Sequence, residues 1–78
     1  MTTFYQIYNE TNPDDFHNLI CEGFDKNSVI REAIEWKKDI AHDEGYTEWE
    51  LEGVLVEWDY DTDEKLSEKN IYKCGVLN

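Results

Sequence analysis

The chain opens with alternating polar and apolar positions. Residues 2–8 are rich in aromatic and β-branched side chains, which predicts a β-strand. The segment that follows admits two interpretations. If Asn12 and Pro13 form a turn, residues 16–24 are the return strand of a hairpin. If Asn12 instead caps a short helix with Pro13 at its first position, Gly23 ends that helix. The hairpin is favoured, because a strand running through Gly23 into the next helix is an economical layout.

The clearest periodicity lies in residues 27–42, where apolar positions recur at intervals of three and four. This spacing predicts an amphipathic helix. The positions on its apolar side are Val29, Ile30, Ala33, Ile34, Trp36, Lys37 (through its stem), Ile40 and Ala41. Asp25, Asn27 or Ser28 can cap the start of the helix, and Gly45 fits just beyond its end. We expect Trp36 to lie in the core.

Residues 47–61 predict a long strand in which acidic and apolar side chains alternate. The acids before Gly53 occupy even positions, whereas those after it occupy odd positions. A β-bulge at Gly53 would bring both acidic sets onto one face of the sheet. A regular strand would place them on opposite faces, at opposite ends.

The last part of the chain predicts a polar loop or short turn at residues 61–69 and a final strand at 71–77, antiparallel to the acidic strand. Together the elements predict a single α+β domain over residues 1–78, in the order ββαββ. One amphipathic helix would pack on one face of an antiparallel sheet and leave the other face free.

Negative charge is concentrated in one segment of the chain. The 22 residues from Asp43 to Glu64 hold ten carboxylates and no Lys or Arg, whereas the whole chain has a formal net charge of -12. Such crowding produces self-repulsion and adds nothing to a fold. The segment also contains Trp49, Trp58, Tyr46 and Tyr60, so it does not have the composition of a disordered acidic tail.

This segment predicts a surface that binds a basic partner, with carboxylates standing in for the phosphates of a nucleic acid. The predicted contact residues are Asp43, Glu44, Glu48, Trp49, Glu50, Glu52, Glu57, Trp58, Asp59, Asp61, Asp63 and Glu64. For each of Trp36, Trp49, Trp58 and Tyr60 a place in the core is favoured. Whichever of them is exposed beside the acids would supply an apolar anchor. The alternative is a solvated sheet face, although like charges on neighbouring strands are unfavourable.

Metal and catalytic sites have less support. Residues 59–64 begin like a calcium loop, but Glu64 stands where the sharp turn needs glycine and Asn70 where a bidentate glutamate is needed. The histidines and cysteines lack the paired spacing of zinc sites. They are His17, Cys21, His42 and Cys74. Nucleophile elbows, phosphate-binding glycine loops and HExxH are absent from the sequence. We therefore expect no metal, no cofactor and no enzymatic activity.

The acidic excess disfavours direct binding to nucleic acid or to anionic membranes. The sequence has no apolar run of about 18 residues and no basic region followed by an apolar one at its start. We therefore expect a cytoplasmic protein, a monomer or homodimer, in which Cys21 and Cys74 are reduced.

In size, charge and concentration of acids, the chain resembles the small acidic inhibitors that phages and mobile elements encode, such as anti-CRISPR and anti-restriction proteins. Some of those proteins look like DNA mimics that block a basic channel, and others bind different surfaces. The resemblance implies a non-enzymatic inhibitor of a basic protein or ribonucleoprotein, in the host cytoplasm if a phage encodes it. No motif is shared, so no binding residue is carried over.

Two other functions are compatible with the sequence. An immunity protein or antitoxin that neutralises a basic toxin, such as a nuclease, would use the same electrostatics. A structural protein could instead self-associate through the edge of its final strand.

Overall fold

A four-stranded antiparallel sheet with one helix packed against it makes up the computed structural model, which describes residues 2–9 and 18–77. The elements are β1 (Thr3–Tyr8), β2 (Leu19–Gly23), α1 (Lys26–Asp43), β3 (Glu48–Asp59) and β4 (Glu64–Val76). Across the sheet the strands lie in the order β2-β1-β3-β4. The predicted α+β class and ββαββ order are confirmed.

The first two strands pair antiparallel, with Tyr5 opposite Gly23 and Ile7 opposite Cys21. The strand interpretation is therefore confirmed for residues 19–23. The predicted turn at Asn12 and Pro13 lies outside the described residues.

Both ends of α1 have the caps that the sequence predicts. At the start, the Asp25 carboxylate accepts hydrogen bonds from the Asn27 backbone N–H at 3.3 Å and from the Ser28 hydroxyl at 2.8 Å. At the other end, Gly45 has a φ of 80° and donates to the His42 carbonyl at 3.1 Å, while the Tyr46 N–H donates to the Ala41 carbonyl at 2.9 Å. These two bonds form a Schellman motif. No helix in residues 2–9 and 18–77 is both long and apolar enough to cross a membrane.

Removing the N-terminal cap should destabilise the protein. We expect Asp25→Ala to lower the free energy of unfolding by about 1 kcal/mol, because the first-turn N–H of Asn27 then loses its acceptor. Urea unfolding followed by circular dichroism measures the change. Glu32→Ala, at an exposed position within α1, is the control. Equal losses in the two variants would contradict the assignment of the cap.

The main core lies between α1 and the sheet. Its buried residues are Ile7, Val29, Ala33, Ala41, Trp49, Leu51 and Leu55. The prediction for Trp36 is wrong, because 37% of this residue is exposed. The buried stripe of α1 is centred near Lys37, between Ala33 and Ala41. Since successive helix positions turn by about 100°, Trp36 lies at the margin of that stripe.

The opposite face of the sheet is not free, contrary to expectation. Tyr8, Val54 and Val56 are buried there, and the partly buried Leu19 and Trp58 pack against them. This second cluster occupies the middle of the face. The exposed acidic and aromatic side chains are therefore separated towards its two ends.

The predicted β-bulge at Gly53 is absent. β3 pairs without interruption there, with Val54 opposite Tyr8 of β1 and Gly53 opposite Ile71 of β4. The register with β4 shifts further along, between Glu57 and Trp58, where β4 contributes one extra residue, Leu66. The regular-strand alternative is therefore correct, and the two acidic sets lie on opposite faces.

The predicted polar loop at residues 61–69 is also wrong for most of its length. Only residues 60–63 form the turn, and β4 then runs from Glu64 to Val76 along β3. Most of β4 is exposed, since it lies at the edge of the sheet. An edge strand wetted on both faces has no apolar alternation, so its sequence looks like that of a loop.

Candidate partner-binding surface

Three glutamates form an exposed row along β3. Glu48, Glu50 and Glu52 point away from α1, because the residues between them, Trp49 and Leu51, are buried in the main core. Alternate residues of a strand are about 6.6–6.8 Å apart, so the row presents charges at a regular interval. In the described part of the chain, no salt bridge uses any of the three.

A groove of about 1100 Å³ runs past this row. On the adjacent strand β4, Val76 pairs with Glu48, Cys74 with Glu50 and Tyr72 with Glu52. The groove continues around the end of the sheet to the last turns of α1. We call it the acidic groove and define it by Glu44, Tyr46, Glu48, Glu50, Glu52, Asn70, Tyr72 and Cys74.

The acidic groove contains two exposed aromatic residues. Tyr46 is 63% exposed and Tyr72 is 56% exposed. Reduced hydration and the neighbouring Glu50 carboxylate raise the pKa of Tyr72 above its ordinary value. A tyrosine hydroxyl is protonated at neutral pH in any case, so it can donate a hydrogen bond. Tyrosines of this kind are favoured anchors in protein interfaces.

The second acidic set has a largely structural role, at the other end of β3. Glu57 is half-buried and accepts a hydrogen bond from the Ser67 hydroxyl. Asp59 accepts from the backbone N–H groups of Asp61 at 3.0 Å and Thr62 at 3.4 Å, which holds the turn between β3 and β4. Asp61 in turn accepts from the Thr2 backbone N–H at 3.2 Å. The structure does not bring this set together with the row.

The remaining predicted acids are exposed and fall at both ends of the sheet. Asp63 and Glu64 lie at the turn between β3 and β4. Asp43 and Glu44 lie at the end of α1, where Asp43 is 4.0 Å from Nδ1 of His42 and Glu44 reaches the acidic groove. Glu44 therefore lies in the acidic groove with the row, whereas Asp63 and Glu64 do not.

Trp49 and Trp58 would be anchors only if exposed, and neither is exposed in the acidic groove. Trp49 is only 9% exposed, and its ring lies directly over Gly75, where an added Cβ would stand 2.6 Å from Nε1. Trp58 is half-buried and donates its Nε1–H to Oε1 of Gln6 at 2.8 Å. The anchors in the groove are instead Tyr46 and Tyr72. Sequence reasoning missed Tyr72, whose place opposite Glu52 follows only from the β3–β4 register.

The two cysteines are free thiols in different environments. Cys74 is exposed in the acidic groove. Cys21 donates to the Val29 carbonyl at 3.2 Å, and burial, with a smaller effect of Glu32, raises its pKa to about 11. The thiolate is the reactive form, so Cys21 should be the less reactive of the two.

This difference predicts selective labelling of the groove. At pH 8 a bulky maleimide should modify Cys74 and leave Cys21 intact, since few Cys21 thiols are ionised at that pH. Peptide mass spectrometry of the labelled protein measures the ratio. Cys74→Ser should abolish the fast phase and Cys21→Ser should keep it. Fast labelling of Cys21 in the folded protein would contradict the prediction.

No group of three potential metal ligands occurs among the residues that the structure describes. The calcium-like segment forms the β3–β4 turn, in which Asp59 binds the backbone of its own turn. Of the residues considered for zinc, Cys21 and Cys74 lie on the two opposite edge strands, and His17 is outside the described residues.

No protein-family model, no curated protein and no solved structure matches the chain.

Proposed function

We propose that this protein is a non-enzymatic inhibitor that binds a basic, nucleic-acid-binding surface of another protein. The contact surface is the acidic groove, with the row of Glu48, Glu50 and Glu52 at its centre. The partner is a protein or ribonucleoprotein whose basic site ordinarily holds DNA or RNA. The resemblance to anti-CRISPR and anti-restriction inhibitors agrees with this proposal.

The observation that carries the proposal is the row of three exposed glutamates without a salt bridge in the described structure. Exposed sheet faces ordinarily mix charges, because like charges near one another on a sheet are destabilising. Lys37 of α1 also lines the groove, but no salt bridge in the described structure joins it to the row. The unpaired row is therefore best explained by a cation on a partner. Tyr46 and Tyr72 add the apolar contact that such an interface needs for affinity.

The spacing of the row suits imitation of one nucleic-acid strand. Phosphates along one strand of B-DNA are about 3.4 Å apart in axial rise. Consecutive phosphates are also displaced around the helix axis, so their distance in space exceeds this rise. It is comparable with the spacing of about 6.6–6.8 Å between alternate residues of a strand. Three such charges supply one edge of a duplex or a short single strand, which is enough to enter part of a basic groove.

Affinity capture from a lysate with salt-gradient elution tests the proposal. We expect the tagged protein to retain a nucleic-acid-binding protein that elutes at moderate salt and that added DNA or RNA displaces. A captured toxin nuclease would assign the protein as an immunity protein or antitoxin acting through the same groove. Capture of partners that nucleic acid does not displace would overturn the proposal.

Self-association is the second candidate function, and the length of β4 favours it. This strand has 13 residues and pairs with β3 along one edge only. Lys65, Lys69 and Lys73 lie on it, however, and charged side chains on an edge strand oppose strand pairing. Light scattering distinguishes the two functions, since a dimer insensitive to salt, with no captured partner, would favour self-association.

A further inference from the structure

A patch of three aromatic rings lies at the opposite end of the same sheet face from the acidic groove. Phe4, Phe24 and Tyr60 contact one another, with ring centroids 4.9 to 5.7 Å apart. Phe24 is 55% exposed and Tyr60 is 59% exposed. Clustered aromatic surface left in water is unfavourable for a monomer and is typical of a contact surface.

A small cavity of about 260 Å³ adjoins this patch. Phe4, Gln6, Trp58, Tyr60 and Asp63 line it. We call it the aromatic pocket. From Glu50 to Trp58, the strand covers about 27 Å at about 3.3–3.4 Å per residue, so the aromatic pocket and the acidic groove are separate surfaces.

The walls of the aromatic pocket are held in place before any ligand arrives. Oε1 of Gln6 accepts hydrogen bonds from Nε1 of Trp58 at 2.8 Å and from the Tyr8 hydroxyl at 2.9 Å. A carbonyl oxygen has two lone pairs, so these bonds leave Gln6 Oε1 no further capacity. A ligand that donates hydrogen bonds must therefore find its acceptor elsewhere in the pocket.

Asp63 supplies that acceptor. None of the described residues hydrogen-bonds to its carboxylate or pairs with it. Its φ is 61°, in the left-handed region, where residues other than glycine are uncommon. The carboxylate thus stands free at the rim of a pocket whose other walls are mainly aromatic.

One ring of the pocket, that of Trp58, already has a cation near its face. Nζ of Lys65 lies 5.6 Å from the centroid of the Trp58 ring, and the same Nζ is 3.6 Å from the Glu68 carboxylate. The negative face of an aromatic ring attracts a cation in this way. Lys65 does not line the pocket. Among the described residues, no cation lies over the rings of Phe4 and Tyr60.

We propose that the aromatic pocket binds an arginine side chain of a protein partner. The planar guanidinium can stack on the Tyr60 ring while it donates two hydrogen bonds to Asp63. Lysine fits less well, because its ammonium is a strongly hydrated point charge and cannot stack. The proposal does not rest on the acidic groove, since this pocket is a distinct surface with its own acceptor.

Titration of the ¹⁵N-labelled protein with N-acetyl-arginine amide tests the proposal directly. We expect saturable shifts of the Trp58 Nε1–H signal and of the Tyr60 backbone signal. N-acetyl-citrulline amide, which has the same shape without the charge, should bind about fivefold or more weakly, because the charge-assisted hydrogen bonds are lost. Equal shifts with both compounds, or shifts confined to the acidic groove, would overturn the proposal.

Two variants that remove one charge from the same turn sharpen the test. Asp63→Asn keeps a residue that tolerates the left-handed conformation and should weaken arginine binding about fivefold. Asp61→Asn removes a carboxylate that does not line the pocket and should leave binding unchanged. Equal effects of the two variants would show general electrostatic attraction and would overturn the assignment of Asp63. Neither outcome depends on whether the acidic groove binds a partner.

Discussion

Replacing Gly53 with alanine should destabilise the protein severely. A Cβ built on Gly53 falls well inside van der Waals distance of the Tyr8 carbonyl oxygen. That oxygen belongs to the backbone of β1, which cannot rotate away as a side chain can. We expect a loss of about 2–3 kcal/mol in the free energy of unfolding, by analogy with overpacked cores. This is a large fraction of the stability of a small domain.

Urea unfolding of Gly53→Ala and Gly45→Ala, side by side, measures the effect. Gly45 is the matched control because it needs glycine for a different reason, its φ of 80°, and has open space around its Cα. Its replacement should cost about 1 kcal/mol, from left-handed strain alone. If Gly53→Ala were no more destabilising than Gly45→Ala, the close approach of β1 and β3 at Gly53 would be contradicted.

Gly53 also shows what sequence could and could not predict about the sheet. A glycine inside an alternating strand indicates either a bulge or a close approach of another backbone. The alternation of acidic and apolar residues around Gly53 is compatible with a bulge and with a close approach alike. The deciding contact comes from Tyr8, which is distant in the sequence, and so only the tertiary structure resolves the choice.

Elements with a buried side were predicted better than elements without one. α1 and β3 each present a periodic apolar face to the core, and this periodicity can be recognised from the local sequence alone. The first half of β4 lies on an edge and buries little, so its polar residues carried no signal of a strand. The prediction that Trp36 is buried was wrong for a related reason. Periodicity gives the direction of the buried stripe of a helix only to within one residue.

The candidate site was predicted in part. Alternation alone placed Glu48, Glu50 and Glu52 on one face, and the structure keeps them there. Alternation could not show that Glu57 and Asp59 form hydrogen bonds within the β3–β4 hairpin. Those bonds depend on the turn geometry and on Ser67 of the neighbouring strand. The tyrosine anchors depend likewise on pairing between strands.

Neutralising the glutamate row should abolish most partner binding without loss of stability. In the variant Glu48→Gln, Glu50→Gln and Glu52→Gln, the shape of the acidic groove is kept and three charges are removed. We expect affinity for the captured partner to fall about 100-fold at low salt, at roughly 1 kcal/mol for each lost charge pair. The remaining binding should depend less on salt. The free energy of unfolding should stay level or rise slightly, since repulsion within the row is relieved.

A variant with the same change in net charge separates the row from the general acidity of the chain. Glu32→Gln, Glu35→Gln and Asp39→Asn neutralise three exposed carboxylates of α1 and leave the acidic groove intact. Capture from the same lysate, with elution by salt, compares both variants with the wild-type protein. Both triple variants lose the same net charge, so long-range attraction to a basic partner changes equally in them. If the row acts as a phosphate mimic, only the variant that lacks the glutamate row elutes early. Equal losses would mean that the partner senses net charge, and the row would then be a solvated face of the sheet.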